Sequence, residues 1–157
     1  MDAELKVLIK NIKGVWDKPM NIKSLLEEFS LKETVIRDLS REGLENGREL
    51  YRDESGFILF AYAEGQGKYR APHDHGDGWV IYTVVSGEVE MGSFLRIGEG
   101  VVTLKDKKSL VVGEGHLYEV GDIHDTRCLS SDSVILRFTS CDLKVEEQEG
   151  RMLRFIL

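Results

Sequence analysis

Gly67-Lys68-Tyr69-Arg70-Ala71-Pro72-His73-Asp74-His75, followed after eleven residues by Gly87, is the most chemically loaded stretch of the chain. Its two imidazoles are separated by one residue. On a strand, side chains at i and i+2 share a face, so His73 and His75 face one interior while Asp74 faces away. Two adjacent imidazoles in an interior are costly when protonated. They make sense as neutral ligands of one divalent ion. A second stretch also frames a histidine with glycines: Gly113, five residues, Glu119-Val120-Gly121, two residues, then His124. The chain's remaining histidine, His116, falls in the turn-like Glu114-Gly115-His116 and reads as a surface residue.

Around these stretches the chain reads as strands. From residue 57 onward, short runs rich in Val, Ile, Tyr, Phe and Leu are cut by Gly, Asp and Ser, the rhythm of a sandwich or barrel. The runs are Phe57–Glu64, Lys68–His75, Trp79–Val85, Glu88–Ile97, Val101–Lys105, Ser109–Val112, Leu117–Val120, Ile123–Cys128, Ser133–Thr139 and Met152–Leu157. Ser86-Gly87 reads as a tight hairpin turn. Before residue 50 the apolar spacing is helical: Leu5, Leu8, Ile9 and Ile12, then Ile22, Leu25, Leu26 and Phe29 after Pro19, then Val35, Ile36 and Leu39 within 32–44. The expected organisation is a helical segment, 1–50, packed on a β-barrel, 51–157, as one domain overall.

The composition narrows the function classes. With 41% hydrophobic and 31% charged residues over 157 positions, the chain is expected to be one soluble globular domain. Lys+Arg 21 against Asp+Glu 28 gives a net charge of -7, a poor match for a nucleic-acid backbone. No apolar run approaches the roughly 20 residues of a membrane span. The start Met1-Asp2-Ala3-Glu4 lacks the cationic and apolar regions of a secretory signal, and Cys128 and Cys141 make no disulfide framework. The expectation is a cytoplasmic protein with no nucleic-acid or membrane partner.

In register, the two glycine-framed stretches resemble the first and second cupin motifs, with Glu119 where a proline is usual. The resemblance implies a mainly β fold, a cupin double-stranded β-helix (jelly-roll) barrel with short N-terminal helices, holding one metal by His73, His75 and His124. The carboxylate ligand usual in cupins falls at Trp79 or Val80 and is missing, with Asp77 the only nearby substitute. A three-histidine cupin behind short helices is similar to the cysteine dioxygenase branch, or thiol dioxygenases more broadly. That likeness implies a mononuclear non-haem iron(II) dioxygenase acting on a small anionic or chelating substrate, a cysteine-like thiol being the first guess, with dioxygen as co-substrate. Three neutral ligands leave the ion its full double positive charge and open positions for a chelate and dioxygen. Zn, Ni or Mn are alternative occupants of such a site.

The sequence departs from that branch on the late strand, where Ile135-Leu136-Arg137-Phe138-Thr139 lacks the expected His and Tyr. Arg137 offers a fork for a substrate carboxylate or sulfonate, or is an exposed strand residue paired with a surface acid. Arg48 is a second basic candidate. Tyr69, four residues before His73, faces the metal if the strand has no bulge. Trp79 and Tyr82 cover the pocket mouth or fill the barrel. Two other functions stay open: a zinc-type hydrolase, isomerase or lyase, and a non-catalytic small-molecule-binding barrel. Pairing into a homodimer through edge strands is the oligomeric expectation, with the 153–157 tail supplying an edge or closing its own sheet.

Overall fold

The computed structural model describes all 157 residues. Three helices lead the chain: α1 (Asp2–Lys13), α2 (Pro19–Ser30) and α3 (Glu33–Asp38). Pro19 opens α2 at the first turn, where its missing N–H is not needed. Nine strands follow: β1 (Arg48–Arg52), β2 (Ile58–Glu64), β3 (Tyr69–His73), β4 (Val80–Ser86), β5 (Glu88–Gly98), β6 (Val101–Val111), β7 (Gly115–Tyr118), β8 (Ile123–Cys128) and β9 (Ser133–Thr139). A short helix, α4 (Leu143–Gln148), and the tail close the chain.

The strands form two antiparallel sheets, ordered β1-β2-β9-β4-β7 and β3-β8-β5-β6. On β4, alternate residues pack two different cores. Ile81 and Val85 join Ile12, Ile22, Leu26 and Phe29 of the helices in one apolar cluster, whereas Val80, Tyr82 and Val84 face Val89, Met91 and Cys128 of the second sheet. Burial on both faces explains why β4 reads as a continuous apolar run rather than an alternating one. Thr83, on the helix-facing side, meets its polar need with Ser30, whose Oγ lies 3.0 Å away.

Several sequence expectations are redrawn. Ser86-Gly87 closes no hairpin: β4 pairs with β7 and β9, and β5 pairs with β6 and β8, so this turn carries the chain from one sheet to the other. Gly87 is needed there twice over. Its φ is +83°, and a Cβ would stand 2.8 Å from the Ser133 Cα. Val101–Lys105 and Ser109–Val112 are one strand, β6, joined through Asp106-Lys107-Lys108. That charged stretch interrupts the apolar pattern, but β6 is an edge strand whose solvent side accommodates it, and a bulge opposite Ser93 and Phe94 absorbs the irregularity. The third helix is shorter than the expected 32–44.

The tail closes its own barrel. Arg154 bridges His73 and Ile156 bridges Val101, which are residues of the two edge strands of the second sheet. Phe155 is buried against Phe94, Val102 and Ile123. No helix is long and apolar enough to cross a membrane. Replacing Phe155 with Ala should cost about 3 kcal/mol, the usual cost of emptying an aromatic core position. Urea unfolding of the two proteins measures it. An unchanged midpoint would mean the tail is not held by this side chain.

Candidate metal centre

His73 ends β3, His124 lies on β8, and the two are direct partners in the antiparallel ladder. His75 follows in the turn after β3. Asp74 fixes that turn by accepting from the N–H of Gly76 (3.2 Å) and from Leu153 of the tail (2.8 Å), so it faces away from the imidazoles as the spacing predicts. The three rings form a near-equilateral triangle, with centroids 5.2 Å (His73–His75), 4.7 Å (His73–His124) and 4.9 Å (His75–His124) apart. One nitrogen from each ring lies within 4.8 Å of the others. The Nε2 atoms of His75 and His124 are 3.1 Å apart, close to the ~3 Å expected of two nitrogens bound at right angles to one ion at about 2.1 Å.

The protonation states suit a metal. His73 Nδ1 stands 2.7 Å from the carbonyl of Ala71, to which it must donate, so the Nε2 lone pair is free. Burial pushes His75 down to about 3, aided by the charges of His73 and Arg137, and holds His124 well below the usual imidazole range. His73 is lowered for the same reason. All three are therefore neutral donors near pH 7. No carboxylate shares the cluster. The donor set fits a divalent first-row ion and leaves its charge uncancelled.

Two tyrosines complete the inner wall. Tyr82 Oη lies 3.2 Å from His75 Nε2, and the Tyr118 ring stacks on His124 at 4.0 Å. The expectation for Tyr82, at the pocket mouth or filling the barrel, does not include this contact with His75. The available signal was its phase on β4, inward with Val80 and Val84. Trp79, on the opposite phase, packs with Phe57 and Phe138 under the helices and covers no mouth.

The other expected residues scatter. Arg137 is cross-strand partner to both Tyr82 and Phe60, lines a cavity of about 460 Å³ beside His73 and His75, and keeps a buried Nε with no hydrogen-bond partner. Tyr69 sits on that cavity's rim, but its hydroxyl donates to Asp125 (2.7 Å) and its ring carries the Arg127 guanidinium. The cause is a bulge between Arg70 and His73, which breaks the alternation on which the metal-facing expectation depended. Asp77 is exposed and pairs with Arg151, away from the triad. Arg48 lines a separate groove with Met1 and Leu5. His116 is half-buried, its ring 4.4 Å from Tyr118, rather than a plain surface residue. Lys68, Arg70, Lys144 and Arg154, which the sequence reading did not single out, also line the His cavity.

No family model and no curated protein matches the sequence. Solved structures do match. KdgF from a Halomonas species aligns with a TM-score of 0.50 at 19% identity, over 59% of this chain and 74% of that one. The cupin domain of Schizosaccharomyces pombe Cnp3 aligns at 0.50 and 8% identity, over 66% and 69%. The fold is a cupin barrel. CapF, determined with the inhibitor 3-isopropenyl-tropolone, aligns at 0.55 and 15% identity, over 71% of this chain but only 32% of its own length. These likenesses establish the cupin architecture, within which the histidine triad is this chain's own observation.

His124→Ala should abolish tight binding of zinc or iron(II) while the far-ultraviolet circular dichroism stays native. Full metal occupancy in that variant would sink the ligand assignment. His116 supplies a pH test away from the triad. Burial, with Lys108 and Lys23 nearby, lowers it to about 4. The unfolded chain takes up this proton near 6.5, so stability falls as pH drops from about 6.5 toward 4. His116→Gln should reduce that slope by one histidine's share in urea titrations at pH 7 and 5, the triad histidines carrying the rest. An identical slope would show that the imidazole does not carry it.

Proposed function

We propose that the protein is a mononuclear non-haem iron(II) dioxygenase of the cupin type, acting on a small anionic substrate that chelates the metal. The observation that carries this reading is a buried triad of neutral histidines without a carboxylate, beside a cavity lined by Arg137, which enters no ion pair. Bound iron(II) supplies a site for the substrate's chelating head and for dioxygen activation. The chain's own residues do the rest. His73, His75 and His124 hold the ion without cancelling its charge, which favours an anionic chelate over water.

Arg137 orients the substrate by a forked pair of hydrogen bonds to its acid group. The rings of Phe60 and Tyr62, 5.0 and 6.0 Å from its guanidinium, restrict how that fork turns. Tyr82 shares the inner face with Arg137 and holds its hydroxyl against His75 Nε2, from where it can donate to the substrate head. Leu143 and Met152 give the cavity lining an apolar portion. A thiol remains the first substrate class to assay.

Three histidines and a water are also the donor set of catalytic zinc, which would serve hydrolysis, isomerisation or elimination instead. Metal content and oxygen uptake separate the two readings. Protein purified without added metal or chelator, then loaded with iron(II) without air, should consume dioxygen on addition of an acidic thiol. Arg137→Gln should raise KM roughly tenfold, the value of a charge-assisted hydrogen bond. Turnover with zinc and none with iron would overturn the dioxygenase reading.

A further inference from the structure

The cavity beside the triad is opposite in charge to the chain that forms it. The sequence carries 28 acids against 21 Lys and Arg. Yet the cavity is lined by Lys68, Arg70, Arg137, Lys144 and Arg154 against a single acid, Glu147. Two of these cations are already matched. Arg70 is held by Glu64 (2.8 Å) and Arg154 by Glu147 (2.7 Å). Lys68, Arg137 and Lys144 enter no ion pair, and the buried Nε of Arg137 has no acceptor at all. The Arg137 guanidinium lines the cavity without a carboxylate partner, so an anion bound there meets an unmatched cation.

Size points the same way. At about 460 Å³ the cavity falls in the size range of small-molecule pockets and exceeds what a three-carbon acid fills. The unmatched cations also come from separate parts of the chain: Lys68 precedes β3, Arg137 is on β9, and Lys144 is on α4. A substrate with one acid group, placed at the metal or on Arg137, would leave part of this charge unmatched.

We propose that the substrate carries two separated anionic groups, a chelating head at the triad and a second carboxylate taken by Arg137 with Lys68 and Lys144. Arg137 supplies the directional, forked contact, and the two lysines supply attraction at the mouth. This deepens the proposed function and rests on its metal site for the head alone. It also moves the substrate away from cysteine toward a longer diacid.

The test is calorimetric titration of the zinc-loaded protein with lactate and with malate, which share a hydroxy-acid head and differ by one carboxylate. Malate should bind roughly tenfold more tightly or better. That preference should collapse toward unity in Arg137→Gln and shrink severalfold in Lys68→Gln/Lys144→Gln, a double variant at positions outside the apolar core. Equal affinities in the unmodified protein would overturn the two-anion substrate and leave the metal site standing. Failure of both acids to bind zinc-loaded protein would overturn it as well. Failure of the chain to retain zinc would remove the metal reading beneath it.

Discussion

The pairing of β3 with β8 sets His73 opposite His124 in one ladder, and the site depends on that contact. A barrel interior is a poor place for charge, so imidazoles brought together there are kept neutral by desolvation. Neutral, convergent nitrogens are what a divalent cation needs, and the hydrogen bond from His73 to Ala71 presents the correct one. The tail strengthens the same point. Leu153 is bonded to Asp74, and Phe155 donates its N–H to Pro72, so both neighbours of His73 are tied to the last turn of chain. A mobile loop could not hold three donors within bonding range of one ion. A strand end clamped from both sides can.

Charge organises the rest. Three neutral ligands would leave the double charge of a bound divalent ion intact, and the cavity beside the triad adds unpaired Arg137, Lys68 and Lys144. Within a chain of net charge -7, this is a local reversal of sign. It attracts anions to one opening while the acidic exterior repels them elsewhere. Tyr82 and Tyr118 line the metal-facing side, giving the interior polar contacts without adding charge.

Much of this was legible in the residues. The glycine-framed histidines gave the barrel and the triad, and Ile123–Cys128 and Ser133–Thr139 were read at their observed bounds. These strands are buried with short, clean boundaries, so local pattern and tertiary environment agree. Arg137 was read as inward or paired at the surface, and its cross-strand place beside Tyr82 makes it inward. The failures have equally local causes. Tyr69 was placed by strict alternation, which the bulge before His73 breaks. β6 was split in two because an edge strand tolerates charges that a buried strand does not. α4 falls outside every expected element, and only the folded chain brings its Lys144 and Leu143 into the cavity lining. Long-range charge complementarity has no signature in a local window of sequence.

Joint binding of one ion by His73, His75 and His124 underlies every functional reading of the site. X-ray absorption spectroscopy of protein loaded with one equivalent of iron(II) in the absence of air tests it directly. The expected spectrum has a first shell of nitrogen and oxygen with outer-shell scattering from three imidazoles, reduced to two in iron retained by His124→Ala. A shell with one imidazole or none, unchanged by that substitution, would place the metal elsewhere and contradict it.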